Sequence, residues 1–308
     1  MKKPEILATA GSMDELKRMI AAGADALTIG ENRWGMRLPG DFLIDDIAEA
    51  VRFAKERHTK IYVAVNKLMD NDDVKHLPSY MHSLQEAGVD AVVYGDPAVL
   101  MVCKQAKLDI ALHWNAEMTS TNYATANYWG ARGASRVVLA RELNMEQVLD
   151  FKRNTSLEVQ VQVHGATNIY HSRRSLIRSY MDFHELGNHQ QFGIERGLYL
   201  VEAERAELNH PVYEDLNGTH IMSADDVCMI DDLQELIEGG IDSFKIEGLL
   251  KSPAYNEAVV MAYRAAVDAY FDNPASYSPD PQWRDSIEQL QEPGRELTLG
   301  FFFKEQVY

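Results

Sequence analysis

Residues 157–180 read LEVQVQVHGATNIYHSRRSLIRSY, and the fold turns on how this stretch is parsed. Val159, Val161 and Val163 alternate with Gln160 and Gln162, a period of two that specifies a strand. The strand is expected to end at His164-Gly165. Beyond it come Tyr170, His171, Arg173, Arg174 and Arg178 with no immediate helix. A basic, aromatic insertion over 166–222 is therefore expected, and a strand opening into such a segment is where function is sought.

Working outward, six strand–helix units precede this strand. Strands are expected at 6–8, 26–29, 61–65, 91–94, 110–113 and 137–140. Helices follow them: from Ser12 to 22, then 43–57, 72–87, 97–107, 123–129 and 144–152. Ser12 and Glu15 form an S-x-x-E capping box. Asp96 caps the fourth helix, with Pro97 in its first turn. Downstream, a helix at 223–238, a strand at 243–246 and a helix at 252–271 complete the pattern. Alternation of this kind implies parallel strands joined by right-handed helical crossovers. Eight such strands favour a closed (β/α)8 TIM-type barrel over an open doubly wound sheet. No G-x-G-x-x-G follows the first strand, which argues against a dinucleotide fold. The division expected is a barrel domain over 1–271, carrying the insertion after strand 7, and a C-terminal extension over 272–308. The extension contains the run LTLGFFF, which could pair as a further strand.

The 308 residues are 46% apolar, and the formal net charge of -17 gives no general attraction for nucleic acid or an anionic membrane. Arg173, Arg174 and Arg178 are the local exception, candidates for partner or RNA contact, with a solvated loop as the plainer alternative. No secretory leader and no membrane span are expected, so the expected location is the cytoplasm. Cys103 and Cys228 fall in helix-like segments and imply no disulfide framework. Two cysteines cannot supply a four-cysteine iron–sulfur site. Neither H-E-x-x-H nor G-x-S-x-G is present. His184 and His189, five apart, do not have a helical metal-binding spacing.

In a barrel the site lies at the carboxyl ends of the strands. That places Glu31, Asn66, Asp96, Asn115, Arg141, Glu142, His164, Lys245 and Glu247 there. Asp96 is better read as a helix cap, Asn66 as a turn residue, and Arg141-Glu142 equally as a buried ion pair. Lys245 and Glu247 alternate with Phe244 and Ile246, so both are expected to point into the barrel and to need partners or a ligand. His164, Lys245 and Glu247 are the catalytic candidates. Arg141, Glu142, Asn115 and Glu31 are the substrate-binding candidates. Arg141, His164, Lys245 and Glu247 are expected to share one pocket, in which Arg141 and Lys245 hold an anionic group. No metal ligand is expected.

The segments EILATAGSMDELKRMIAAGADALTIG, RVVLAREL, VHGA, DSFKIEG with LKSP and Tyr255, and the terminal RELTLGFFF together resemble the U32 peptidase family. The resemblance runs through nearly the whole chain in the family's order. It implies a choice of activities: collagenase-like peptidases, prephenate-dependent hydroxylation of tRNA wobble uridine to 5-hydroxyuridine, and oxygen-independent ubiquinone hydroxylation. The departures matter as much. Asn168 and Ser175 stand where the family pattern has two cysteines, and 189–196 holds neither of the other two. Leu249 replaces an arginine after Glu247-Gly248. The reading is a cluster-free subunit acting with a cluster-bearing U32 paralogue, which would hold the iron–sulfur cluster and bring much of the tRNA-binding surface. The alternatives are a U32 peptidase and a non-catalytic small-molecule-binding barrel.

Overall fold

The computed structural model describes residues 2–115, 121–186 and 191–305. From the N-terminus, strands and helices alternate: β1 (Glu5–Thr9), α1 (Met13–Ala21), β2 (Ala26–Ile29), α2 (Ile44–Lys55), β3 (Lys60–Val65), α3 (Asn71–Ala87) and β4 (Ala91–Tyr94). They continue as α4 (Pro97–Ala106), β5 (Ala111–Asn115), α5 (Tyr123–Gly130), β6 (Ala134–Val138), α6 (Met145–Arg153) and β7 (Glu158–Ser172). The insertion contributes α7 (Leu176–Phe183), β8 (Leu198–Val201), β9 (Asn209–Asp215) and β10 (Gly218–Cys228). Then come α8 (Leu233–Glu238), β11 (Ser243–Ile246), α9 (Pro253–Asp272), α10 (Pro281–Glu288) and β12 (Leu297–Thr298). β1 to β7 pair in parallel in chain order, and β11 pairs in parallel with both β7 and β1, which closes an eight-stranded barrel.

The caps read from sequence do their work. The Ser12 hydroxyl accepts from the Glu15 N–H, and Asp96 accepts from the Ala98 N–H. The lumen holds Leu7, Ala26, Tyr62, Ala91, Val93 and Val138. Its amino end is sealed by charge. Arg136, 2% exposed, donates to Glu5 at 2.6 Å and to Glu158 at 2.7 Å, while the Tyr62 hydroxyl donates to Glu5 at 2.7 Å. Burial opposes ionisation of Glu158, yet hydrogen bonds from Arg136 and Lys2 hold its carboxyl down at about 2.

Three sequence expectations are corrected. β7 does not stop at His164-Gly165 but runs on to Ser172, because β10 takes over as its antiparallel partner from Cys228↔His164 to Thr219↔Ser172. The helix expected from Ser223 is the end of β10, and helix begins only at Leu233. Cys228 accordingly lies in a strand. Tertiary pairing overrides the weak local preference of that segment. The terminal run does pair as a strand: β12 lies parallel to β10 through Asp226↔Leu297 and Val227↔Thr298.

Candidate functional site

The carboxyl ends of the strands enclose a polar chamber lined by Thr9, Thr28, Asn66, Asn115, Arg141, Gln160, Lys245 and Glu247 among others. The loop after β2 closes over it. Asn66 Oδ1 accepts the Met36 N–H at 2.8 Å, and Arg37, in the left-handed region at φ 56, buries its side chain against the chamber. The β9–β10 turn clamps that loop, since the Asn217 amide donates to the carbonyls of Asn32 and Gly35. Lys245 Nζ lies 2.9 Å from Glu247 Oε2, so the charged pair expected on β11 and just beyond it is satisfied internally. The chamber measures about 30 Å³, roughly the share of one water molecule in the liquid.

Beside it lies a much larger cleft of about 400 Å³. Its walls come from three segments: the end of β6 with Arg141 and Glu142, the β7–β10 ribbon with Asn168 and Ser223, and the C-terminal tail with Phe301, Phe302 and Lys304. Arg141 and Gln162 stand at the seam. The Arg141 Nε donates to Gln162 Oε1 at 2.7 Å, and the Gln162 amide donates to the carbonyls of Gly165 and Ala166. Arg141 thus lines both chamber and cleft. Asn168 Oδ1 is buried at this wall without a hydrogen-bond partner among the described residues. Its volume falls in the range of small-molecule clefts, and polar and apolar residues share the cleft's walls about equally.

Of the expected site residues, the structure brings Asn115, Arg141, Lys245 and Glu247 to the chamber and Arg141 and Glu142 to the cleft. His164 goes elsewhere. Lys245 pairs with Gln162 but Ile246 pairs with His164, so Val163 is an extra residue in β7. Such a bulge re-aims the next side chain. His164 therefore faces the helical layer, 1% exposed, with Nε2 2.9 Å from the Tyr255 hydroxyl. Burial lowers its pKa to about 3, with Asp226 and Lys251 as lesser influences. The expectation that it shares the pocket is corrected on this geometry.

Glu31 lines neither cavity; its carboxyl is pushed up by burial and then by Asp41. Arg173 reaches Asp70 at 3.4 Å, tying the insertion to the loop before α3, while Arg174 and Arg178 are exposed. His184 is exposed against Tyr180 and Phe183, and His189 lies outside the described residues. Sequence reasoning missed Arg37, Gln160, Gln162, Asn168 as a cleft residue, and the tail's aromatic wall. The glutamines carried a signal, because alternation with core valines points them inward.

The iron–sulfur ligands implied by the resemblance do not fit here. Asn168 offers an amide and Ser175 a hydroxyl at the start of α7, not thiolates. Cys103 and Cys228 are buried elsewhere, and burial pushes the Cys103 thiol up to about 11. Among the described residues no cluster of His, Cys, Asp and Glu could hold a metal ion, and no helix is long and apolar enough to cross a membrane.

A closed (β/α)8 barrel, a β7–β10 ribbon packed against its carboxyl-end loops and a cleft walled in part by the C-terminal tail define a TIM-type barrel protein. The sequence assigns it further: residues 11–307 match peptidase family U32, and the chain belongs to that family. It is 47% identical to tRNA hydroxylation protein P2 of Bacillus subtilis (strain 168), over all of both chains. It is 32% identical to tRNA hydroxylation protein P1 of the same strain, covering all of this chain and 74% of that one. The solved structure of the U32 peptidase Mk0906 superposes with a TM-score of 0.50 over 79% of this chain and 92% of that chain, at 16% identity.

Proposed function

We propose that this chain is a cluster-free U32 subunit of tRNA hydroxylation, acting in the cytoplasm with a cluster-bearing U32 paralogue in prephenate-dependent formation of wobble 5-hydroxyuridine. The observation that carries this reading is the 47% identity, end to end, with a protein named for tRNA hydroxylation. Two such relatives in one bacterium, one longer than this chain, favour a division of labour. The amide and hydroxyl at Asn168 and Ser175 support assigning the cluster to the other subunit.

In this reading the chain contributes binding. Prephenate is a dicarboxylate too large for the 30 Å³ chamber, which supports the 400 Å³ cleft as its site in this reading. Gln162 fixes the guanidinium of Arg141 at the seam, where a carboxylate would receive charge-assisted hydrogen bonds. Phe301 and Phe302 would cover the apolar ring. Glu142 and Asn168 would set its orientation. Asn115, Lys245 and Glu247 remain the polar reserve of the chamber behind, and Arg173, Arg174 and Arg178 the cationic contacts for tRNA or the second subunit. The peptidase reading loses its general base, since His164 faces the helical layer.

The test is genetic and chemical. Deleting the gene should lower wobble 5-hydroxyuridine in nucleoside mass spectrometry of bulk tRNA. The wild-type gene should restore it and an Arg141→Ala gene should not. Unchanged 5-hydroxyuridine in the deletion strain would refute the reading.

A further inference from the structure

The ribbon carries two histidines that neither the chamber nor the cleft uses. His171 on β7 lies directly across from His220 on β10, and His220 lies directly across from Tyr213 on β9. This register sets the three rings side by side on one face of the sheet. They stack, with centroids 4.8 Å and planes 27° apart for His171 and His220, and 4.8 Å and 19° for His220 and Tyr213. His220 is fully buried and His171 partly so.

Both imidazoles grip the same turn. His220 Nε2 lies 3.0 Å from Asp215 Oδ1, which also accepts the Asn217 N–H at 2.7 Å. His171 Nε2 donates to the Asn217 carbonyl at 2.9 Å, since a carbonyl oxygen only accepts. The Asn217 amide then donates to the carbonyls of Asn32 and Gly35, in the loop that brings Arg37 to the chamber. Contacts thus run from the ring stack, through one turn, to the cover of the chamber.

We propose that the stack is a pH-sensitive latch: with His171 neutral the β9–β10 turn holds the loop that covers the chamber, and protonation of His171 releases it. The charged and titratable groups that face His171 come from three elements, His220 on β10, Asp215 in the turn and Arg37 on the covering loop. Asp215, Arg37 and Glu247 face Tyr213 at the far end of the stack. A proton on His171 sets a cation against a buried ring and within reach of the Arg37 charge, while Asp215 is already engaged by His220 and the Asn217 N–H. Burial lowers the pKa of His171 from 6.5, and His220 and Arg37 add to this against the opposing pull of the Asn217 carbonyl and Asp215. The latched state therefore binds a proton less well than a His171 that has swung into water. The latch is complete above pH 6.5 and weakens as the pH falls below it. It is independent of the proposed tRNA chemistry.

The experiment is hydrogen exchange of the full chain between about pH 7.5 and about pH 5, expressed as protection over the free-chain rate at each pH. Protection over 213–220 and 32–36 should fall about tenfold on acidification, with β1 to β6 unchanged. His171→Gln keeps a donor for the Asn217 carbonyl but takes no proton, and should keep both segments protected throughout. Asn217→Ala cuts the clamp itself and should leave 32–36 exchanging fast at every pH. The imidazole resonances of the wild type give a check that needs no variant, because His171 should titrate below 6.5. The proposal is overturned by protection that ignores pH, by a loss shared with the barrel strands, by an unaltered loss in His171→Gln, by a 32–36 segment indifferent to Asn217→Ala, or by a His171 that titrates at or above 6.5.

Discussion

The Nε2 of His164 lies 2.9 Å from the hydroxyl of Tyr255, on the helical side of the barrel wall. One extra residue in β7 puts it there, while Gln162, two positions back, still faces inward and holds Arg141. His164 is thus a packing element between β7 and α9, and Tyr263 also sits against its ring.

This placement has a pH signature. Burial lowers the pKa of His164 from 6.5 to about 3, and burial followed by Arg136 lowers that of His113 to about 3. Both are neutral when folded and gain a proton on unfolding below pH 6.5. The unfolded state then binds more protons, so their stabilisation is complete above pH 6.5 and falls away as pH drops toward 3. Urea midpoints measured between pH 7 and pH 4 should fall steeply. His164→Gln, which can still meet Tyr255, should flatten the slope. An equal slope in the variant would mean that His164 is protonated in the fold.

Gly165 should tolerate no side chain. It sits at φ +98, and a Cβ there would lie 2.1 Å from the Glu247 carbonyl oxygen. Gly165→Ala must push β7 away from the turn that carries Glu247, at a cost of about 2 kcal/mol or more. Thermal unfolding of the purified variant measures this, and a shift within error of wild type would contradict the close packing.

Much of this architecture was legible in the sequence because buried parallel strands write themselves as short apolar runs between capped helices. Ser12, Asp96 and Gly88 punctuate the chain where the structure starts or stops helices. The site was legible only in part. Arg141, Lys245 and Glu247 follow from strand ends, but a bulge has no signature in a period-two pattern, so His164 was set facing the wrong way. Ser223 to Cys228 reads as helix because its residues lack strand preference; pairing with β7 and β12 decides it. The aromatic wall of the cleft arrives from the C-terminus, more than a hundred residues from Arg141, and nothing local announces that meeting.

Arg136 should behave as structure and not as site. It is 2% exposed and holds two carboxylates at the amino end of the barrel, opposite the chamber. Arg136→Ala leaves Glu5 buried without its main counter-charge, a loss of about 3–5 kcal/mol. Arg136→Met with Glu5→Gln should recover much of it, because both charges leave together. Chemical denaturation of the two variants measures this; equal losses would mean that the ion pair itself, and not the orphaned carboxylate, sets the cost.

The last prediction ties the tail to the cleft. Asp226 is fully buried and accepts from Arg295 Nη2 at 2.6 Å, from Gln291 Nε2 at 2.7 Å and from Lys251 Nζ at 2.5 Å. Burial opposes its charge, but hydrogen bonds from Arg295 and the charge of Lys251 hold its carboxyl at about 2. Gln291 and Arg295 belong to the segment that leads into β12 and on to Phe301 and Phe302, so this one carboxylate anchors the cleft's aromatic wall. Asp226→Asn would leave Lys251 and Arg295 buried against a neutral amide, costing about 3–5 kcal/mol. Arg295→Ala is the milder cut: Asp226 keeps Lys251 and the fold, while the tail loses its firmest tie. Hydrogen exchange over 291–305 should speed up in Arg295→Ala with the barrel strands still protected. In the reading proposed above, prephenate binding measured by calorimetry should weaken in the same variant. If exchange speeds up and binding is untouched, the tail is not a wall of the ligand site. If neither moves, Asp226 is not the tail's anchor.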